Sequence, residues 1–364
     1  MKYDIDLDYI KKLDRIHPYP AKFTIDIALK FIEQYSNEKD LILDPFCGSG
    51  TTLLASKILN RNSIGFDINY VAILISKFKI LQLTNYDLMY LNNFDLNNDA
   101  EIKNLHTYDN INHWFKKDCI IALSTIKYQI IKYSKYNEKY LVFLNTIFSS
   151  IINLVSNQDS DTRYASIEKP YLNKEYVFNK FYEKLKVAIE IYKNINITNK
   201  SISKILLTNS KILSDKVRRK SISLVFTSPP YPNTYDYYLY HKHRMLWLDY
   251  DVDFSMKNEI GSRREYSSLK LPKEKFNNDL LDIFKQIDLV LKNDGIIIII
   301  MGDGKINGEI YDAKKELFKL FQILKWKIIY YDYAELDQTS KSFVKSYRTK
   351  NKKEHIFILK KEIL

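Results

Sequence analysis

Cysteine is scarce in this chain: 364 residues contain two, Cys47 and Cys119. They form neither a metal-ligand spacing nor a disulfide framework, and the six histidines are scattered, so no metal site is expected. Long hydrophobic runs are also missing. The longest purely apolar stretch is Ile296–Met301, far below the roughly 20 residues that a membrane helix needs, so no membrane partner is expected. The start, Met1-Lys2-Tyr3-Asp4, carries an early acid and no hydrophobic segment, which predicts no signal peptide and a cytoplasmic protein. Glycine is rare at eight residues, so its clusters point to backbone roles: Gly48, Gly50 and Gly65, then Gly302, Gly304 and Gly308. Acids are outnumbered, 44 against 56 bases, giving a formal charge of +12. A basic surface of this size suits a polyanion such as nucleic acid. On charge alone, a lysine-rich solvated surface accounts for it equally well.

What is present is an alternating pattern. Helical spacing over 24–35 is followed by a short apolar run at Leu41–Leu43, a helix at Thr51–Leu59, a run at Ser63–Phe66 and a helix at Tyr70–Leu83. This β-α-β-α order predicts a parallel sheet with right-handed crossovers. The alternation stops over residues 84–203, where Cys119–Tyr133, Tyr140–Val155 and Glu175–Tyr192 read as long amphipathic helices. It resumes with strands at Lys204–Leu207, Ile222–Phe226, Gly295–Met301, Trp326–Tyr333 and His355–Leu359, and with helices at Phe276–Leu291 and Glu316–Leu324. The expected architecture is α/β: a Rossmann-like seven-stranded sheet of the class I methyltransferase kind, carrying a large helical insertion. The expected divisions are 1–83, a cofactor half; 84–203, the insertion; and 204–364, a catalytic half.

Strand, then Asp44-Pro45-Phe46-Cys47-Gly48-Ser49-Gly50-Thr51-Thr52, then helix describes a tight ligand-binding turn. Its glycines let the backbone approach a ligand, and the helix start offers free N–H groups. The third glycine of a dinucleotide fingerprint and the GKS or GKT of a P-loop are both absent. Asp67 follows the second strand, 17 residues after Gly50, where a carboxylate can accept two hydrogen bonds from ribose hydroxyls. Asp44–Thr52 resembles the cofactor loop of the amino-methylating DNA methyltransferases, commonly DPFxGSGTT. His17-Pro18-Tyr19-Pro20-Ala21-Lys22-Phe23 is similar to the segment that those enzymes lay against the methionine end of S-adenosylmethionine. The resemblance implies that Lys22 and Phe23 lie near the cofactor carboxylate and sulfonium, that Asp44, Pro45, Phe46, Gly48, Ser49, Gly50, Thr51 and Thr52 build the loop, and that Asn209 or Ser210 faces the adenine.

The strand-like run ending at Phe226 opens into Thr227-Ser228-Pro229-Pro230-Tyr231. Two adjacent prolines fix φ and remove two donors, so this loop is stiff. Its position at a strand's C-terminal end is where open α/β sheets build their sites. An exocyclic amine on cytosine or adenine is a poor nucleophile, because its lone pair is delocalised into the ring. Ser228 Oγ and the Pro229 carbonyl are suitable acceptors for its two hydrogens, and Tyr231 can stack on the base. The motif [DNS]PPY marks amino-methyltransferases, and TSPPY is typical of the N4-cytosine enzymes. The resemblance therefore implies methyl transfer from S-adenosylmethionine to N4 of a flipped cytosine, with Ser228, Pro229, Pro230 and Tyr231 as the catalytic loop. C5 methylation needs a nucleophilic cysteine, and Cys47 and Cys119 read as packing residues.

The resemblance covers about residues 15–80 and 204–360. It implies double-stranded DNA as partner and a cognate restriction endonuclease as a second candidate partner. The 84–203 insertion is a candidate target-recognition region; a cap that only buttresses the fold is the alternative. His241, His243, Arg244, Arg263 and Arg264 are candidate DNA contacts, against the alternative of plain surface charge. The basic run Lys216, Arg218, Arg219 and Lys220 reads better as a solvated helix end. Three other functions stay open at this point: N6-adenine methylation, RNA amino-methylation, and DNA binding without turnover.

Overall fold

Seven of the runs that alternate with helices do pair into one sheet. The computed structural model of the chain describes residues 6–20, 23–96, 105–135, 137–195, 197, 199–335 and 352–362. The strands are β1 (Leu41–Asp44), β2 (Asn62–Asp67), β3 (Ser203–Leu207), β4 (Ile222–Thr227), β5 (Leu291–Gly302), β6 (Trp326–Glu335) and β7 (Lys353–Lys361). Their spatial order is β6-β7-β5-β4-β1-β2-β3. β1 pairs in parallel with β2 and β4, β2 with β3, and β4 with β5, whereas β7 runs antiparallel to both β5 and β6. A parallel sheet that reverses direction at its middle and carries one late antiparallel strand is the Rossmann-like class I methyltransferase fold. The strands are apolar on both faces, as a sheet covered on both sides requires: Ile297, Ile298 and Ile299 of β5 and Leu224, Val225 and Phe226 of β4 are fully buried.

The described residues fall into two compact units. The sheet unit comprises 20–73, 199–237 and 254–364. Around its sheet run α1 (Ile25–Tyr35), α2 (Thr51–Ile58), α4 (Lys273–Val290) and α5 (Ala313–Ile323), while α3 (Tyr70–Lys79) follows β2. Phe276, Leu280, Ile283, Phe284 and Ile287 recur at three and four residues along α4 and are buried in the main core.

The helical unit comprises 1–19, 74–198 and 238–253. Its long helices are Lys117–Tyr133, Glu138–Ile152 and Lys174–Asn194. It also contains a short antiparallel hairpin, Gln158–Ser160 with Arg163–Ser166, inside the stretch that periodicity reads as mostly helical. Strands of three and four residues are too short to leave an alternating signal. Helix Asn85–Asn92 starts with a capping box, in which Thr84 and Asp87 satisfy each other's backbone N–H groups. Cations are buried here beside acidic partners. Lys79 Nζ meets Asp14 Oδ1 at 2.6 Å with both side chains almost fully covered. The Arg244 guanidinium donates to the Ser149 carbonyl at 3.0 Å and to the Asp161 carboxylate.

Candidate active site at the strand ends of the sheet

The C-terminal ends of β1, β2, β3 and β4 are laced together by hydrogen bonds. Cys47 N–H donates to the Phe66 carbonyl (2.9 Å), and Thr208 N–H donates to the Asp67 carbonyl (3.0 Å). Ser210 Oγ donates to the Pro45 carbonyl at 2.5 Å. Thr52 Oγ1 donates to Asp44 Oδ2 at 2.6 Å, and Thr227 Oγ1 donates to Asp44 Oδ1 at 2.7 Å. One buried carboxylate therefore ties the loop after β1 to the residue that precedes Ser228. Burial raises the Asp44 pKa to about 6, against the hydrogen bonds from Thr52, Thr227 and the Phe46 N–H.

The loop after β1 turns on two glycines in the left-handed region, Gly48 at φ 49° and Gly50 at φ 79°. Gly50 is the N-cap of α2, so the N–H groups of the first turn face the loop. Gly48 N–H donates to Asp67 Oδ2 and Asn69 N–H to Asp67 Oδ1, both at 2.8 Å. These two bonds fix the carboxylate and leave lone pairs on both oxygens. Burial raises the Asp67 pKa to about 6, the Asn69 and Gly48 N–H groups oppose that, and Asp44 adds to it.

Burial divides the expected cofactor residues into two kinds. Asp44, Pro45, Ser49, Gly50, Thr51, Thr52 and Ser210 are buried, and the bonds above show that Asp44, Pro45, Thr52 and Ser210 brace the loop. Phe23, Phe46, Gly48, Asp67 and Asn209 are half-exposed, and so they are the ones open to a ligand. The Phe23 ring stands edge-on to Phe226 of β4 with centroids 5.0 Å apart. Asn209 caps the 3-10 turn that follows β3 and donates to Asn258 Oδ1 at 3.1 Å. Lys22 lies outside the described residues.

At the end of β4, Pro229 is buried while Ser228, Pro230 and Tyr231 are half-exposed. The Tyr231 ring lies on Gly302, where an added Cβ would come within 2.7 Å of its Cε2. Gly304 receives Pro232 in the same way, at 2.6 Å. Two of the glycines clustered at 302–308 therefore seat the stiff loop. The Tyr231 hydroxyl donates to Glu354 Oε1 on β7 at 2.5 Å. Burial, followed by that carboxylate, pushes the Tyr231 phenol well above its ordinary range. Sequence reasoning missed Glu354, whose partner Tyr231 stands 123 residues away in the chain.

Cys47 and Cys119 are both buried. Cys47 sits against Gly65, whose Cβ would come within 3.0 Å of it, which suits the packing role expected for it. The family model described as DNA methylase matches residues 6–78, the stretch that holds Asp44–Thr52 and Asp67. Over that stretch the chain is similar to the amino-methylating DNA methyltransferases. It is 28% identical over 270 residues to the Type II methyltransferase M.MvaI of Kocuria varians, covering 67% of this chain and 59% of that one. It is 23% identical over 340 residues to the Type II methyltransferase M.MjaII of Methanocaldococcus jannaschii, covering 88% and 58%. A shorter match, 42% over 72 residues, joins it to the Type II methyltransferase M1.MboII of Moraxella bovis, over 20% of this chain and 26% of that one. The chain thus spans a little under three fifths of the length of the first two relatives.

Three of the expected DNA contacts are corrected by burial. His241, His243 and Arg244 are fully covered in the helical unit. Arg244 is engaged by Ser149, His241 and Asp161; His243 packs against the rings of Trp114, Phe115 and Tyr164; and His241 stacks on Tyr19. A cation with that many intramolecular acceptors is part of the packing. Burial, followed by the neighbouring Arg244 charge, holds His241 well below its usual pKa. Arg263 is half-exposed and Arg264 exposed, so these two keep the surface position that DNA contact requires. Arg218, Arg219 and Lys220 are exposed at the N-terminal end of β4, the end away from Ser228, in keeping with a solvated role.

Proposed function

We propose that this chain is an S-adenosylmethionine-dependent DNA methyltransferase that methylates the exocyclic N4 of cytosine within a specific sequence. The observation that carries this reading is the Asp44 bridge. It joins a left-handed glycine turn and an accessible Asp67 carboxylate to the Thr227-Ser228-Pro229-Pro230-Tyr231 loop. A nucleoside cofactor fits the half-exposed set by its chemistry. Asp67 offers acceptor lone pairs for ribose hydroxyls, the Gly48 turn admits close approach, and Asn209 offers a polar side chain to the base. When bound, S-adenosylmethionine supplies an electrophilic methyl group on its sulfonium.

The chain's own residues do the positioning. Ser228 Oγ and the Pro229 carbonyl accept the two hydrogens of the target amine, which favours a pyramidal nitrogen with its lone pair free. The half-exposed Tyr231 ring stacks on the base. Holding both reactants in line contributes about 7–11 kcal/mol of barrier reduction, so no covalent intermediate is required. Inside a duplex the amine is out of reach. The base is therefore flipped into the site, at a cost of a few kcal/mol that stacking offsets.

Residues 84–203 are our candidate for target recognition, with double-stranded DNA as partner, and Arg263 and Arg264 as contacts from the sheet unit. The relatives are named Type II methyltransferases, which supports a cognate restriction endonuclease as the functional counterpart. Serine ahead of the Pro-Pro-Tyr motif supports cytosine over adenine.

Methyl-labelled S-adenosylmethionine incubated with genomic DNA, followed by nucleoside analysis, tests the reading. Label in N4-methylcytosine is expected. Label confined to N6-methyladenine overturns the choice of base and keeps the class; label in RNA alone, or none, overturns the class.

A further inference from the structure

Asn209 is held in place from both sides. Thr208 N–H donates to the Asp67 carbonyl at 3.0 Å, and Ser210 Oγ donates to the Pro45 carbonyl at 2.5 Å. The half-exposed side chain between them therefore stands beside both loops proposed for the cofactor. A third element reaches the same place. From Phe254 on, the helix Val252–Asn258 belongs to the sheet unit. Ser255 Oγ donates to the carbonyl of Ile68, the residue after Asp67, at 3.0 Å. The Phe254 ring stands edge-on to Tyr70 with centroids 6.0 Å apart. The last residue of the helix, Asn258, accepts from Asn209 Nδ2 at 3.1 Å.

Backbone groups at both ends fix which way these two amides face. Lys211 N–H can only donate, and it meets Asn209 Oδ1 at 2.9 Å. The Phe254 carbonyl can only accept, and it receives Asn258 Nδ2 at 2.9 Å. Asn258 therefore turns its oxygen to Asn209, and Asn209 turns its nitrogen to Asn258. A flip of either amide would set donor against donor or acceptor against acceptor. An amide carries two hydrogens and two oxygen lone pairs, so Asn209 keeps one of each to offer a ligand. An asparagine reads adenine with that pair, accepting from the 6-amino group and donating to a ring nitrogen. Hypoxanthine has an oxygen in place of the amine and would set an acceptor against the Asn209 oxygen.

We infer that Asn258 is a positioning residue which locks the Asn209 amide in the orientation that accepts a 6-amino purine and rejects a 6-oxo purine. This deepens the proposed use of S-adenosylmethionine and rests on it. Asn258 stands 49 residues from Asn209 in the chain, outside every segment expected for the cofactor. Without it, the nitrogen of a half-exposed amide is left to water, and one of the two contacts that oppose a flip is gone.

Calorimetric titration with S-adenosylhomocysteine and with S-inosylhomocysteine, its 6-oxo counterpart, tests the lock without turnover. Wild-type protein is expected to prefer the adenine form. N258A is expected to weaken binding of the adenine form roughly three- to tenfold, the effect of losing one hydrogen bond, and that of the 6-oxo form less. N258D keeps an acceptor for Asn209 and is expected to stay within about twofold of wild type for the adenine form. N209A is expected to lose the preference, and N209A/N258A to bind no more weakly than N209A. In methylation assays N258A is expected to raise KM for S-adenosylmethionine by the factor seen in titration, with kcat unchanged. No preference in the wild type, equal weakening of both forms by N258A, N258D as weak as N258A, or losses that multiply in the double variant overturn the proposal. Wild-type protein whose preference shrinks in N258A as expected, but which transfers no methyl group to DNA, keeps the lock and overturns the function proposed for the chain. Wild-type protein that binds neither ligand overturns both.

Discussion

The sheet unit and the helical unit bury the same kinds of polar residue for different ends. In the sheet unit Asp44, Thr52, Thr227 and Ser210 converge on the ends of four neighbouring strands, where their bonds hold loops that remain half-exposed. In the helical unit the covered Lys79 is matched by the covered Asp14, and the covered Arg244 by the partly exposed Asp161. A buried charge thus marks a site only where it braces something accessible. Where it is matched by an opposite charge and covered, it holds elements together.

Removing one partner of a matched pair is expected to have the largest effect. D14A takes from the fully covered Lys79 ammonium the carboxylate it meets at 2.6 Å and should lower stability by about 3–5 kcal/mol in urea unfolding. A loss under about 1 kcal/mol would remove the distinction between the units.

In the sheet unit the expected cost falls on binding. D67N should weaken S-adenosylmethionine affinity by about 1.5–3 kcal/mol, roughly ten- to a hundredfold, in calorimetric titration. Since the Asp67 pKa is raised to about 6, its folded form binds protons more tightly than the unfolded chain does. Its penalty on stability is therefore present above pH 6 and relieved as the pH falls from 6 towards 4. Ribose recognition needs the anion, so affinity should fall by about tenfold per pH unit below 6 while stability does not fall with it. D67N should flatten that affinity profile; an unchanged profile would remove Asp67 from the site.

The smallest effect returns to the helical unit. T84A breaks the capping box ahead of Asn85–Asn92 and should cost about 1 kcal/mol, read as a small shift of the unfolding midpoint with affinity unchanged.

The same contrast governs what could be read from the sequence. The elements of the sheet unit were legible because buried parallel strands are short apolar runs, and because Asp44, Gly48, Gly50 and Asp67 stand at fixed distances from them. The place of Ser228–Tyr231 was legible because two adjacent prolines follow the apolar run that becomes β4. The accessible and bracing members of the loop proposed for the cofactor could not be separated, since Thr52 and Gly48 look equally functional until Thr52 is seen bonded to Asp44. His241, His243 and Arg244 failed for a physical reason. A linear sequence gives their charge but not their acceptors, and Ser149 and Asp161 lie more than eighty residues away. Glu354 was hidden because its partner is 123 residues distant and reaches it across the side of a glycine.

Gly302 sets a limit on how this protein can diverge. Nothing reacts at that position, yet any side chain there would occupy the seat of the Tyr231 ring. A substitution would have to move the ring, the loop behind it and the carboxylate opposite in a single step, a rare route for sequence drift.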